Sequence, residues 1–199
     1  SKVEGDEDFQ VVIFNAVGAD IIGSDTVEAT LVDDDVAVSI DTIDSEVVEG
    51  ADGDSVAVRF GIEAEGPANA TRAVVSWHVE GYGDHPLIGS DFADGELPSG
   101  TTEVGMRGGY GIASLQVLIG GDDVFGPDES FKVVIDDVQA YAGTTPMGTS
   151  IVVGEATSTV IDDDLVIGLR DAFETSPQSV FEGADGDSTE MRFYVDALA

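Results

Sequence analysis

Three aspartates in a row occur twice, at Asp33 to Asp35 and at Asp162 to Asp164, each time with apolar residues on both sides. Two carboxylates about 5 Å apart repel by about 3 kcal/mol at an effective dielectric near 20. Such a run needs open solvent or a cation. More acid stands nearby in sequence: EGADGDS at 49–55, Asp84 and Asp91, and DDVFGPDES at 122–130. The chain has no cysteine, and His85, beside Asp84, is the one histidine near these acids, which points away from zinc and copper. Calcium takes six to eight oxygens in a tolerant geometry, whereas magnesium demands an octahedron and keeps its waters. The residue types therefore favour calcium, with room for more than one ion. Catalysis asks for something else. Glycoside hydrolysis wants two carboxylates in a cleft with separated pKa values, and no nucleophile–base pair, phosphate loop or cofactor fingerprint appears. The chain reads as not an enzyme.

The 199 residues carry 41 acidic and 7 basic side chains, a formal net charge of -34, with 42% hydrophobic residues. That hydrophobic content supports a core and separates the chain from disordered acidic tails. The charge repels nucleic acid and anionic membranes, and no lysine or arginine cluster offsets it. No apolar run approaches the roughly 20 residues of a membrane-spanning helix. The natural partners are cations. A plainer account of the charge is a solvated acidic surface that maintains solubility.

The acids recur in order. EGADGDS is repeated intact at 49–55 and 182–188, the aspartate triplet at 33 and 162, and an acidic-x-Phe block in GDEDFQVVIF (5–14) and GPDESFKVVI (126–135). This is a tandem repeat of roughly 120 to 130 residues. Residues 1–35 form the C-terminal part of one repeat, 36–164 a complete repeat, and 165–199 the N-terminal part of a third. The triplets run straight into the next apolar strand without a linker, so a stiff joint is expected there. The cut ends, and a first residue other than Met, suggest a piece of a longer protein.

Period-two alternation marks the strands. Val56, Val58, Phe60 and Ile62 share one face, as do Val75, Trp77 and Val79; Leu115, Val117 and Ile119; and Phe131, Val133 and Ile135. Seven strands are predicted: A 36–47, B 55–62, C 73–80, D 96–104, E 112–119, F 130–137 and G 151–161. They read as an all-β, immunoglobulin-like seven-stranded antiparallel sandwich. Successive strands reverse direction, so the A–B, C–D and E–F loops and the exit from G share one end. That end holds Glu49, Asp52, Asp54, Asp84, Asp91, Asp122, Asp123, Asp128, Glu129 and Asp162 to Asp164. The opposite loops, EAEGPANATR, GMRGGYG and QAYAGTTPMGTS, are nearly free of acid. A uniformly acidic surface would not segregate charge in this way.

Four features in this order resemble the Calx-beta domain: EG after the first strand (VVEG, VFEG), GSDF at 89–92, DDVFGPDESF at 122–131, and a closing TVIDDD. The resemblance covers the complete repeat and both partial ones. It implies an immunoglobulin-like fold with calcium at one end, held by Glu49, Asp91, Asp122, Asp123, Asp162, Asp163 and Asp164. The family often places Glu five residues before the strand F phenylalanine. Here that position is Gly126, whereas the preceding partial repeat keeps Glu4, and Asp128 or Glu129 could take the role.

The expected function is a calcium-binding structural repeat of an adhesin-like extracellular or cell-surface protein, with the ion stiffening the joint to the neighbouring repeat. Two other readings stay open. One is a metal-independent module that presents residues 81–111 to a glycan or a cell-surface protein. The other is a regulatory calcium sensor. His78 and His85 read as structural or solvated, Trp77 as core, and Asn69-Ala70-Thr71 as a chance glycosylation sequon. DGD at 52–54 lacks the rest of an EF-hand loop. The two cut ends are expected to pair within the chain or with another chain, or to fray.

Overall fold

The computed structural model describes residues 5–171 and 193–198. The second EGADGDS block, at 182–188, lies outside the described residues. The chain begins with an antiparallel pair, β1 (Glu7–Val12) and β2 (Thr26–Leu31), in which Phe9 stands opposite Ala29. Nine strands follow: β3 (Asp35–Thr42), β4 (Glu46–Val48), β5 (Ser55–Glu65), β6 (Arg72–Gly81), β7 (Ser99–Gly105), β8 (Tyr110–Gly120), β9 (Glu129–Ala142), β10 (Thr145–Val153) and β11 (Glu155–Ile161). A last antiparallel pair joins β12 (Val166–Asp171) to β13 (Phe193–Leu198), with Asp171 opposite Phe193. The described residues are all-β apart from one 3-10 turn at Gly89–Asp91.

The nine central strands make a sandwich. One layer runs β10-β3-β5-β8, and the other runs β4-β11-β9-β6-β7. Alternate residues of each strand turn inward, as period two requires. Val38 and Ile40 of β3, Val58, Phe60 and Ile62 of β5, and Val117 and Ile119 of β8 meet Val75 and Val79 of β6 and Phe131 and Val133 of β9. Phe60 and Phe131 touch edge to face between the layers, ring centroids 5.8 Å apart. Each such side chain contributes about 1.5–3 kcal/mol by leaving water. Trp77 is buried as expected, and its Nε1–H donates to Thr102 Oγ1 at 3.1 Å.

The predicted strands B to E are present within a few residues, and strands A and G are each broken. The first half of A, β3, lies in one layer beside β5 and parallel to β10; its second half, β4, crosses to the other layer, parallel to β11. Asp44 pins the crossing. Its carboxylate accepts from Arg59 N at 2.9 Å, Nε at 2.8 Å and Nη2 at 2.9 Å, and the guanidinium's hydrogen bond holds it below the usual carboxylate range. Ser158, buried on β11, donates its hydroxyl to Asp44 O at 2.8 Å and closes the same corner. Strand G divides at Gly154 into β10 and β11. The predicted F–G loop is therefore mostly strand. β9 runs on to Ala142 and turns through Gly143 and Thr144, and β10 starts at Thr145. Gly143 takes φ +64°, the left-handed value a two-residue hairpin with Gly first demands.

Strand F also carries a bulge. The pairing with β6 slips between Ser76 and Trp77, so Asp136 is the extra residue. Ile135 and Val138 both point inward, and Asp136 and Asp137 both stay outside.

Candidate metal centre

The β4–β11 pairing is parallel and continues one residue beyond the strand, where Glu49 N donates to Ile161 O at 3.2 Å. This sets Glu49 beside the start of the triplet, although the two are far apart in sequence. The next bond along, Gly50 N to Asp163 Oδ1 at 3.2 Å, holds the A–B loop against the same run. The E–F loop closes over both. A side chain at Gly121 would put its Cβ 2.3 Å from Gly50 O and 2.7 Å from Ala51 O, so only glycine lets the two loops approach.

The triplet itself is a hydrogen-bonded elbow. Asp162 Oδ1 accepts from Asp164 N at 2.9 Å, its Oδ2 accepts from Gly126 N, and Asp162 N donates to Asp128 Oδ1 at 3.2 Å. Asp122 Oδ1 accepts from Val124 N at 2.6 Å and shapes the E–F loop, and Asp123 Oδ1 accepts from Asp52 N at 3.1 Å. Asp91 Oδ2 accepts from Ile88 N at 2.6 Å. The next residue, Phe92, is buried edge to face on Phe131, centroids 5.8 Å apart, and so anchors the C–D segment with Asp91 toward the cleft.

These bonds leave a recess whose acids are Glu49, Asp91, Asp122, Glu129 and Asp162; no lysine or arginine lines it. Glu49, Asp162 and Asp164 each offer one carboxylate oxygen, all within 4.8 Å of one another. Asp164 Oδ2 is shut off from solvent and has no hydrogen-bond partner. Such an orphaned anionic oxygen is costly without a positive partner. The electrostatics agree. Burial, then the charges of Asp122, Asp162, Asp164 and Asp163, push the Glu49 carboxyl up to about 7. Burial first, then Asp162, raises Asp164, and burial first, then Asp91, raises Glu129. The donor set is oxygen alone, anionic and crowded, and it suits a hard divalent cation.

The eight residues read from the sequence do not all share one position. Glu49, Asp91, Asp122 and Asp162 line the recess, and Asp164 joins Glu49 and Asp162. Asp128, Asp163 and Asp164 line an adjoining recess with Asp162, at the exit toward β12. Asp123 braces the A–B loop through Asp52. Glu129, counted among the acids of this end but left out of the expected ligand set, is the residue on the main wall. The signal was present: Glu129 is two residues before Phe131 and so shares its inward face.

A second elbow repeats this pattern. Asp33 N donates to Asp6 Oδ1 at 3.0 Å, and Asp35 N donates to Asp33 Oδ1 at 3.0 Å, matching Asp128, Asp162 and Asp164 bond for bond. Asp6, Asp33 and Asp35 line a recess with Glu65, Gly66 and Pro67, from the opposite end of the complete sandwich.

The histidine on strand C is a surface group. His78 Nδ1 lies 2.7 Å from Asp136 Oδ1, and Nε2 lies 3.0 Å from Glu80 Oε1. A neutral ring has one N–H, so two carboxylates on two nitrogens favour the imidazolium. Glu80 first, and Asp136 with it, raise its pKa.

No family model matches the sequence, and no curated protein matches it. Among solved structures the chain is similar to the apo form of the Calx CBD1 domain, 20% identical, covering 65% of this chain and 98% of that one at a TM-score of 0.44. It is also similar to CBD12 from CALX1.2, 19% identical over 68% of this chain and 50% of that one, TM-score 0.44. The Calx CBD2 domain is 14% identical over 69% of this chain and 89% of that one, TM-score 0.41.

Proposed function

We propose that this chain is a calcium-binding structural repeat of a longer extracellular or cell-surface protein, adhesin-like in its role. The observation that carries the reading is the meeting of Glu49, Asp162 and Asp164 within 4.8 Å, with a sequestered and unpartnered Asp164 oxygen among them. Glu49, Asp162 and Asp164 would hold the ion, with Asp91, Asp122 and Glu129 on the surrounding wall and Asp128, Asp163 and Asp123 shaping the loops. A bound divalent cation supplies the positive charge that this cluster lacks. Four separate loops supply the acids, so binding ties the A–B, C–D and E–F loops to the exit of the domain. That exit passes through Leu165 directly into β12, and a tied exit stiffens the joint.

The repeat reading has support in the registers. Phe9 faces Ala29 as Phe131 faces Ser158, and Asp171 faces Phe193 as Thr42 faces Phe60. An extracellular setting suits the proposed site, because modules there work at about 0.1–1 mM calcium. The proposed role is mechanical and adhesive, not catalytic.

Thermal unfolding in excess EDTA, in about 5 mM calcium and in about 5 mM magnesium tests the metal, at concentrations above the range of extracellular modules. Binding to the folded state alone adds RT ln(1 + [L]/Kd), about 1–2 kcal/mol per ion under those conditions. The melting point should rise by roughly 5 °C or more in calcium and far less in magnesium. Identical melting in all three buffers overturns the metal site. Scattering curves that show the same flexibility with and without calcium overturn the stiffening alone.

A further inference from the structure

We propose that the outer edge of β8 receives a short extended segment of a partner protein, with alternating apolar and basic side chains, as an added antiparallel strand. β8 ends its layer, and among the described strands it pairs only with β5. Successive residues of a strand turn their N–H and C=O groups to opposite sides. Gly121 N, just past β8, donates to Asp54 O on the β5 side, so the odd-numbered residues face β5 and the even-numbered ones face outward. The chain itself caps this outward edge at both ends. Tyr110 O accepts from Arg107 N at 2.8 Å, and Leu118 O accepts from Ala93 N at 3.2 Å. Both contacts are antiparallel bridges, Arg107 with Tyr110 and Phe92 with Ile119. Between them the backbone groups of Ile112, Ser114 and Gln116 have no partner among the described residues. That gap is about 20 Å long, room for about six residues of strand.

The surroundings of the gap set the chemistry of the occupant. Residues opposite each other in a pair of strands share a face. A docked residue opposite Leu115 or Val117, both buried, therefore points inward. Beside Val117 opens a cleft of about 390 Å³, within the size range of ligand sites. Buried Trp77, Phe92 and Val117 and exposed Asp94 and Glu96 line it, and no lysine or arginine does. A lysine or arginine fits both parts, its methylene stem on the apolar surface and its cation at the carboxylates. A docked residue opposite Ile112 points outward, where Ile112, 63% exposed, offers an apolar neighbour. Basic inward and apolar outward is the complementary pattern. A second copy of this chain fits less well. Edge against edge, it would bring Asp94 and Glu96 of two molecules of net charge -34 together. The cleft shares no lining residue with the acidic recess, so the proposal does not rest on the metal site. Strand addition of this kind takes affinity from backbone hydrogen bonds and specificity from the alternate side chains.

The probe is a capped peptide of about six residues that alternates valine and lysine. It is titrated into the full chain at physiological ionic strength, in calcium and in EDTA, and read by the fluorescence of Trp77, the one tryptophan. Binding of equal affinity in both buffers is expected. In the docked strand the valine N–H groups face β8 and the lysine N–H groups face away. N-methylation of the valines should therefore weaken binding roughly tenfold or more, and N-methylation of the lysines far less. Amide hydrogen exchange at Ile112, Ser114 and Gln116 should slow when the peptide is added. Gln116→Pro should weaken binding, whereas Thr101→Pro, on the open edge of β7, should not; both N–H groups face outward, where an edge strand tolerates proline. The exchange readout uses the unaltered chain, so it stands even if Gln116→Pro fails to fold. Equal affinity of the two N-methylated peptides overturns the proposal, because it marks adsorption to an acidic surface. Unchanged exchange at the three amides overturns it too, as does binding that calcium abolishes, which places the peptide in the acidic recess. Slow exchange at these amides without peptide, in a chain that sediments as a dimer, makes a second copy the occupant and also overturns it.

Discussion

Strand pairs β9–β11 and β1–β2 have the same register and similar residues, yet Phe131 is 0% exposed and Phe9 is 53% exposed. Their acid elbows match as well, Asp128, Asp162 and Asp164 against Asp6, Asp33 and Asp35. What differs is the environment. β9–β11 lies under β3, β5 and β8, and its elbow faces Glu49, Asp91 and Asp122. The hairpin has no such layer among the described residues, and its elbow faces Glu65, Gly66 and Pro67. Local sequence sets the pairing and the elbow. The covering layer and the opposing loops set the burial and the charge density.

The strongest way to sharpen that contrast is a matched truncation. Phe131→Ala should destabilise the complete domain by about 3–5 kcal/mol. Phe9→Ala should move the same denaturant transition by no more than about 0.5 kcal/mol. Equal losses would mean that the hairpin belongs to the same cooperative unit.

The elbows come next. Asp162→Asn should remove most of the calcium-induced stabilisation, about 1–2 kcal/mol, and Asp33→Asn should leave most of it. Paired melts with and without calcium decide this. Gly121→Ala acts on the same quantity from the loop side. A Cβ there must push the A–B loop off the E–F loop, so calcium stabilisation should fall even though no acid is lost.

A smaller effect follows from Glu49 in the metal-free protein. Its folded pKa is raised from 4.5 to about 7, so the folded state holds that proton more tightly than the unfolded state. The associated stability is present below about pH 4.5 and is lost as the pH rises through about 7. Glu49→Gln should flatten that part of the melting-versus-pH curve in EDTA, and an unchanged curve would show that the crowding of charge is relieved by other means.

The smallest effect belongs to His78. Its folded pKa is raised, so its contribution is present below the ordinary value of 6.5 and lost as the pH rises through the folded pKa. The ring is partly exposed, so the change in melting should be slight. An NMR titration reads it directly, and Glu80→Gln should lower the pKa.

The acid-bearing end was legible from the chain because hairpin parity sends alternate loops to opposite ends, and the convergence of Glu49, Asp91, Asp122 and Asp162 follows that parity. The crossings of strands A and G were not legible. Residues 36–47 read as one strand, and although Val47 is out of step with Val38 and Ile40, that break in the alternation does not locate the change of layer at Asp44. Gly143 and Pro146 read as a loop, although Gly143 is the turn of a long hairpin. Glu129 was within reach of the period-two pattern, and the Asp136 bulge announced itself only as apolar residues three apart, Ile135 and Val138.

The sequence by itself determined the β class, the rough positions of most strands along the chain, the recurrence of the acidic blocks and the end at which the carboxylates gather. Alternation and connectivity act along the chain and need no partner. Only the tertiary structure decided which carboxylates meet, which oxygen is left unpaired and which apolar row is covered. Burial and charge crowding belong to the surfaces that close over a residue. Those surfaces come from distant parts of the chain, as Glu49 from strand A meets Asp164 beyond strand G.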